Sequence, residues 1–186
     1  METRLIVSKG LQVLCLMILI VAVTPAQLPK KDLQILVLPE TPISSQSQPR
    51  FRVELRNIGD HDLILNLGMM LANGRRQYAD AIALLLTLPS GSEQRLRLIG
   101  PAMINGRVDP LVVPLPVGAS FSIPVDLGKF APFGKKPLIL EPGTYTLEAE
   151  FEGKKAVNPN LDMGGVALMP YWTGIVFSEK IAFTIC

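Results

Sequence analysis

One histidine, two cysteines and one tryptophan occur among 186 residues, and each scarcity excludes something. His61 alone cannot build a zinc site, which takes three or four His, Cys or acidic ligands. A serine triad needs a histidine held against both a serine and an acid, and no Gly-x-Ser-x-Gly elbow supplies the nucleophile. Of the cysteines, Cys15 lies in an N-terminal apolar run and Cys186 is the last residue. With the first removed, no internal disulfide can form, and the core must hold the fold alone. Charge is sparse too: 18% of residues are charged and the net charge is +2. The cation pairs Lys30-Lys31, Arg75-Arg76, Lys135-Lys136 and Lys154-Lys155 are scattered over turns, so no basic stripe marks a nucleic-acid surface. No Asn-x-Ser/Thr acceptor for N-glycosylation occurs.

What is abundant is apolar side chain and proline. The N-terminus opens with Arg4 and Lys9, continues through a 13-residue stretch from Leu11 to Val23 broken only by Gln12, and reaches Thr24-Pro25-Ala26. A basic start, a short apolar run and a small-residue exit predict a signal peptide over residues 1–26. The run falls short of the about 20 apolar residues a membrane span needs. Leu14 rather than a small residue precedes Cys15, which argues against lipidation. The expected product is a single domain over residues 27–186, secreted or held in the periplasm or cell envelope, with no stable membrane span.

Fifteen of the sixteen prolines fall in that domain and exclude long helices over most of it, since a proline inside a helix costs on the order of 3 kcal/mol. The proline-free interval Arg50 to Leu88 must be read by its periodicity. Phe51, Val53 and Leu55 alternate with Arg50, Arg52, Glu54 and Arg56, a strand with one buried and one wet face. Leu63, Leu65 and Leu67 make the next, and Asn73-Gly74 is a tight-hairpin signal. Tyr78 to Leu88 fits a helix face or a strand face, and the strand is chosen. Leu96 and Leu98 supply its partner after Ser90-Gly91. Phe121 to Leu127 forms a strand whose Pro124 implies either a sheet edge or a proline nitrogen facing outward. Tyr145 to Phe151 alternates against Glu148, Glu150 and Glu152, read as a solvated face, and Ile181, Phe183 and Ile185 close the chain. Ile175 and Phe177 share the parity of that last strand, as does Glu179, so a break near Ser178-Glu179 is expected to spare the carboxylate from burial. Eight or nine short strands without helical interludes predict an all-β, antiparallel sandwich or barrel.

Leu140 to Leu147, with Pro142-Gly143-Thr144-Tyr145, resembles the entry to the penultimate strand of immunoglobulin-like domains. Trp172-Thr173-Gly174, Ser178 and Phe183-Thr184-Ile185 resemble the closing strand of bacterial secreted immunoglobulin-like modules. The resemblance implies an immunoglobulin-like β-sandwich, with the Tyr145 hydroxyl folded onto the preceding corner. Leu55-Arg56-Asn57, Tyr78-Ala79-Asp80, Gly118-Ala119-Ser120-Phe121 and Pro142 to Tyr145 give a layout similar to the intracellular proteinase inhibitor family over Pro49 to Gly153. The chain departs from it in lacking a tryptophan after Asp80 and in its predicted export.

The longest segment without a strand pattern runs from Gly153 to Tyr171. Met163, Leu168, Met169, Tyr171 and Trp172 there can form an adaptable binding surface. Trp172 and Leu168 can equally fold back to plug one end of the domain. Asp60 and Asp62 flank His61 and are the carboxylates a loop-bound calcium would use, or they satisfy turn backbone. No cofactor is implied. The sequence is read as a non-enzymatic module binding a protein or surface polymer through its end loops. The alternative is a proteinase inhibitor offering Met169-Pro170-Tyr171-Trp172, and a hydrolase is disfavoured for want of a nucleophile–base pair.

Overall fold

The computed structural model describes residues 32–40, 49–71, 74–101, 104, 106–133, 136, 138–156 and 170–185. The expectations for the signal peptide, Asn73, Met163, Leu168, Met169 and Cys186 fall outside the described residues. The described chain is all-β apart from one short 3-10 turn, Leu127–Lys129. No helix among these residues is long and apolar enough to cross a membrane.

Among the described residues twelve strands form, against the eight or nine expected, in three antiparallel sheets. The first sheet is ordered β1 (Leu33–Pro39), β2 (Arg50–Asn57), β8 (Ser120–Asp126). The second is ordered β4 (Arg76–Tyr78), β3 (Leu63–Leu71), β7 (Val108–Leu115). The largest runs from β11 (Gly174–Phe177) through β10 (Gly143–Gly153), β5 (Ile82–Thr87) and β6 (Glu93–Leu98) to β9 (Phe130–Pro132), with β12 (Ile181–Ile185) also on β10. The uncounted strands have identifiable reasons. β4 and β9 are three residues long, β1 is a nearly unbroken apolar run, and β7 contains Pro110 and Pro114. A proline cannot donate to a ladder, yet among the described residues β7 pairs only with β3, so its prolines sit on an edge. The same holds for Pro124 on edge strand β8, as the sequence predicts.

Alternation sets the core. Phe51, Val53 and Leu55 of β2, Leu65 and Leu67 of β3, and Leu84 and Leu86 of β5 are all fully buried. They share one cluster with Leu147, Ala149 and Phe151 of β10, so all three sheets contribute to the same core. Each such leucine or phenylalanine contributes roughly 1.5–3 kcal/mol by leaving water. The strand reading of Tyr78 to Leu88 is correct over β5, and the β3–β4 hairpin turns at Gly74 with φ of 82°. The Tyr145 hydroxyl donates to the Glu141 carbonyl at 2.7 Å, on the corner before β10. In β3 the register shifts between Asn66 and Gly68, where φ is 138°. A Cβ at Gly68 would run into the Tyr78 carbonyl and Asp80, so only glycine fits that bulge.

Two expectations need correction. Glu148, Glu150 and Glu152 do share one face, but the face is not simply solvated: Glu150 is 5% exposed and paired with Arg95. Lys154 lies 2.8 Å from Glu152, and Lys180 3.8 Å from Glu148. Burying a carboxylate without such a cation would cost several kcal/mol. The second correction concerns the C-terminal strands. A break does fall at residues 178–180 and leaves Glu179 exposed. It also resets parity: Val176 lies opposite Phe151 and packs on the core, while Ile175 and Phe177 turn outward. Ser178 makes the break tolerable by serving both backbone groups of Ala149. Its hydroxyl accepts the Ala149 N–H at 2.9 Å, and its own N–H donates to the Ala149 carbonyl at 2.9 Å.

Candidate functional site

The two segments singled out in sequence, the Asp60-His61-Asp62 turn and the stretch ending in Tyr171-Trp172, meet at one end of β3. The Ile64 N–H donates to the Pro170 carbonyl and the Trp172 N–H to the Ile64 carbonyl, each at 2.9 Å. Tyr171 thereby forms a parallel bridge with Ile64, and the segment lies alongside β3 like a short added strand. The result is an open cleft of about 460 Å³ lined by Asp32, His61, Leu63 and residues 170–175. Met163, Leu168 and Met169 lie outside the described residues, so Tyr171 and Trp172 represent the predicted loop here.

The turn that presents His61 is built on Asn57, the last residue of β2 and 1% exposed. Its side-chain amide donates to the His61 and Leu115 carbonyls at 2.9 Å each, and its oxygen accepts the Gly59 N–H at 3.0 Å. A buried amide so placed ties the turn to β7, because leaving any of these groups unpaired costs about 1–3 kcal/mol. His61 Nδ1 lies 3.0 Å from Asp60 Oδ1, and both side chains are exposed. Asp62 Oδ1 accepts the Val117 N–H at 3.0 Å. The two aspartates thus serve separate partners, Asp60 within the turn and Asp62 on the segment between β7 and β8. Among the described residues no group of three or more His, Cys, Asp or Glu is placed to hold a metal ion.

Trp172 packs on the core and also borders the surface. One face stacks on Phe151, with ring centroids 5.5 Å apart and planes inclined by 30°. A Cβ on Gly153 would collide with the indole, so the glycine is what lets the ring lie against β10. The ring also lines the cleft, and it lines a second, apolar groove of about 620 Å³ that shares Trp172 and Ile175 with it. That groove runs along residues 33–36 of β1 and 175–177 of β11, together with Ile58 and Glu179. Desolvation pushes the Tyr171 phenol above its usual pKa, so it is neutral at physiological pH and can both donate and accept.

The site therefore offers an indole face, a neutral phenol, an imidazole with its carboxylate, and an adjoining apolar wall. These are recognition groups: ring faces for stacking and a polar rim for hydrogen bonds. Sequence reasoning missed Leu63, Ile175 and Gly153. Leu63 and Ile175 read as ordinary strand residues, and a glycine closing a strand carries no local sign that a distant indole needs its space. No protein-family model matches the chain, and no curated protein matches it in sequence.

Proposed function

We propose that this chain is an exported, non-enzymatic, immunoglobulin-like β-sandwich module that binds a protein or surface polymer at the Tyr171–Trp172 cleft. The observation that carries the reading is the convergence of two segments about 110 residues apart, the His61 turn and the Tyr171-Trp172 stretch, on one open cleft. An immunoglobulin-like arrangement is supported by the Tyr145-to-Glu141 corner bond and by one core shared among antiparallel sheets. Export is supported by the N-terminal charge and apolar pattern, and N-terminal sequencing of envelope-fraction protein is expected to begin at Gln27. A chain in that fraction still starting at Met1 would sink the cleavage. The inhibitor alternative gains nothing from residues 170–172, whose backbone is held to Ile64 rather than offered as an exposed loop.

The test of binding is affinity capture from culture fluid and envelope, with wild type beside Tyr171→Ser, His61→Ala and Trp172→Phe. The last keeps a ring against Phe151 while changing the face shown to a ligand. A partner retained by wild type and weakened by Tyr171→Ser and His61→Ala assigns the cleft. A partner held equally by all four proteins removes the site, and a protease in the captured set restores the inhibitor.

A further inference from the structure

Two side chains stand apart from every other apolar group of the described surface. Phe133 and Ile139 are each 91% exposed, and no other large apolar residue described exceeds 57%. Both lie in residues 133–142, which join β9 to β10. In the sheet order β10-β5-β6-β9 that connection passes over the ends of the two intervening strands, about 14 Å or three strand spacings. It arches over the β5–β6 turn, whose Leu88, Pro89 and Ser90 share a hollow of about 350 Å³ with its residues 138–142.

This exposure belongs to an anchored segment. Leu138 and Leu140 are partly buried against the core, and the corner that follows is fixed by the Tyr145 hydroxyl on the Glu141 carbonyl. Ile139 sits between two anchored leucines and turns outward. One exposed apolar residue needs no explanation; two on the same held arch, each forgoing the stabilisation that burial gives, mark an interaction site. The charge among them is of one sign. From Phe133 to Leu140 the sequence carries Lys135 and Lys136 and no acid. Lys136 is exposed, and Lys135 falls outside the described residues.

We propose that this arch docks the protein on the surface of an anionic phospholipid bilayer, with Phe133 and Ile139 entering the boundary between headgroups and acyl chains and Lys136 meeting the lipid phosphates. The occupant follows from charge and shape. Apolar side chains interspersed with lysine are what an interfacial segment presents to a bilayer. A lysine near an anionic surface adds attraction, and its long stem keeps the ammonium at phosphate level while its neighbours go deeper. A protein partner fits less well, because a specific protein interface has a contiguous, close-packed centre within about 800 Å² on each side. Here the apolar tips alternate with a lysine and with leucines turned to the core. Glu141, exposed and next after the arch in sequence, opposes the same surface. Two projecting side chains give a reversible contact, short of a permanent anchor. The Tyr171–Trp172 cleft lies at the other end of β10, where Gly153 meets the indole, about 33 Å along the strand from Gly143. Docking therefore holds the cleft away from the bilayer, and it stands whether or not the cleft binds a partner.

The test is flotation of the purified protein with vesicles of phosphatidylcholine, with and without phosphatidylglycerol. Wild type is expected to bind the vesicles that contain phosphatidylglycerol and to leave them as salt rises. Phe133→Ser and Ile139→Ser should each weaken binding about tenfold or more, and Lys136→Ser about fivefold. Unfolding midpoints should stay in place, because all three positions are exposed. Glu141→Gln should strengthen binding. The N-terminal apolar run would itself bind lipid wherever it is retained, so the arch is also read directly. Phe133→Trp in a Trp172→Phe background should shift its emission to the blue on anionic vesicles and stay unshifted on neutral ones. No binding to anionic vesicles, no emission shift, or binding indifferent to both Phe133→Ser and Ile139→Ser overturns the proposal. So does a captured protein that protects the arch while vesicles do not, since the arch would then serve that partner.

Discussion

β11 and β12 lie end to end along one edge of the same strand, β10, and they end in opposite states. β12 seals the core: Phe183 is buried, stacks on Tyr145 at 5.4 Å and meets Phe51 edge-on at 5.2 Å. β11, separated from it by three residues, buries only part of Val176 and turns Ile175 and Phe177 to solvent. Both are apolar, β-prone runs, so hydrophobicity does not separate them. Parity does: the break at Ser178 shifts one strand by a residue relative to the other, and a one-residue shift exchanges the faces. The half that seals the core stabilises the protein, and the half that does not borders the proposed binding cleft.

The sharpest way to test that division is to truncate both halves. Phe183→Ala should lose about 3–5 kcal/mol in urea unfolding, whereas Phe177→Ala should stay within about 0.5 kcal/mol of wild type. Comparable losses would mean that β11 is as structural as β12. Gly153→Ala should come next, at about 1–3 kcal/mol from overpacking against the indole. Trp172 is the only tryptophan, so its emission reports the site directly and is expected to shift to the red as the ring leaves Phe151. An unshifted spectrum would show that the ring does not depend on that glycine.

Ser178→Ala probes the junction itself. It strips the Ala149 N–H of its acceptor, and a cost of about 1–3 kcal/mol is expected. Faster amide exchange should be confined to Ala149 and its neighbours, and equal acceleration across β12 would argue that the two halves unfold as one unit. The smallest effect belongs to Glu152, opposite Ile175 on β10. The Lys154 ammonium beside it holds its carboxyl below the usual value of 4.5. A lowered acid favours the folded state above its unfolded value, and that contribution disappears as pH falls through the folded one. Lys154→Met should therefore move the Glu152 titration upward by NMR and lower neutral-pH stability only slightly, because the pair is solvent-screened. A titration already at the ordinary position in wild type would remove the pairing.

Much of the frame was legible in the residues. The alternation of Phe51, Val53 and Leu55, the proline on β8 and the break that spares Glu179 all followed from local pattern, because each depends on a neighbour one or two positions away. The short strands β4 and β9 were not legible, since three residues hold too little periodicity to read. β7 was hidden by Pro110 and Pro114, which forbid a central strand but not an edge. At the site, Tyr171 and Trp172 were identifiable as large rings in a long irregular segment, and His61 as the lone imidazole. Their meeting was not identifiable, because it depends on backbone bonds from Ile64 to Pro170 and Trp172, far apart in sequence.

The sequence by itself determined that this chain is built of strands: proline density excludes long helices, and period-two alternation selects the buried residues. It also confined histidine chemistry to one residue and thiol chemistry to two. Tertiary structure decided which strands lie at sheet edges among the described residues, which face of Trp172 is covered, and which apolar residues of the last two strands meet water. Those outcomes hang on register and on close approaches such as Gly153 to the indole. Register is fixed by the partner strand and the bonds across it, which no local pattern contains.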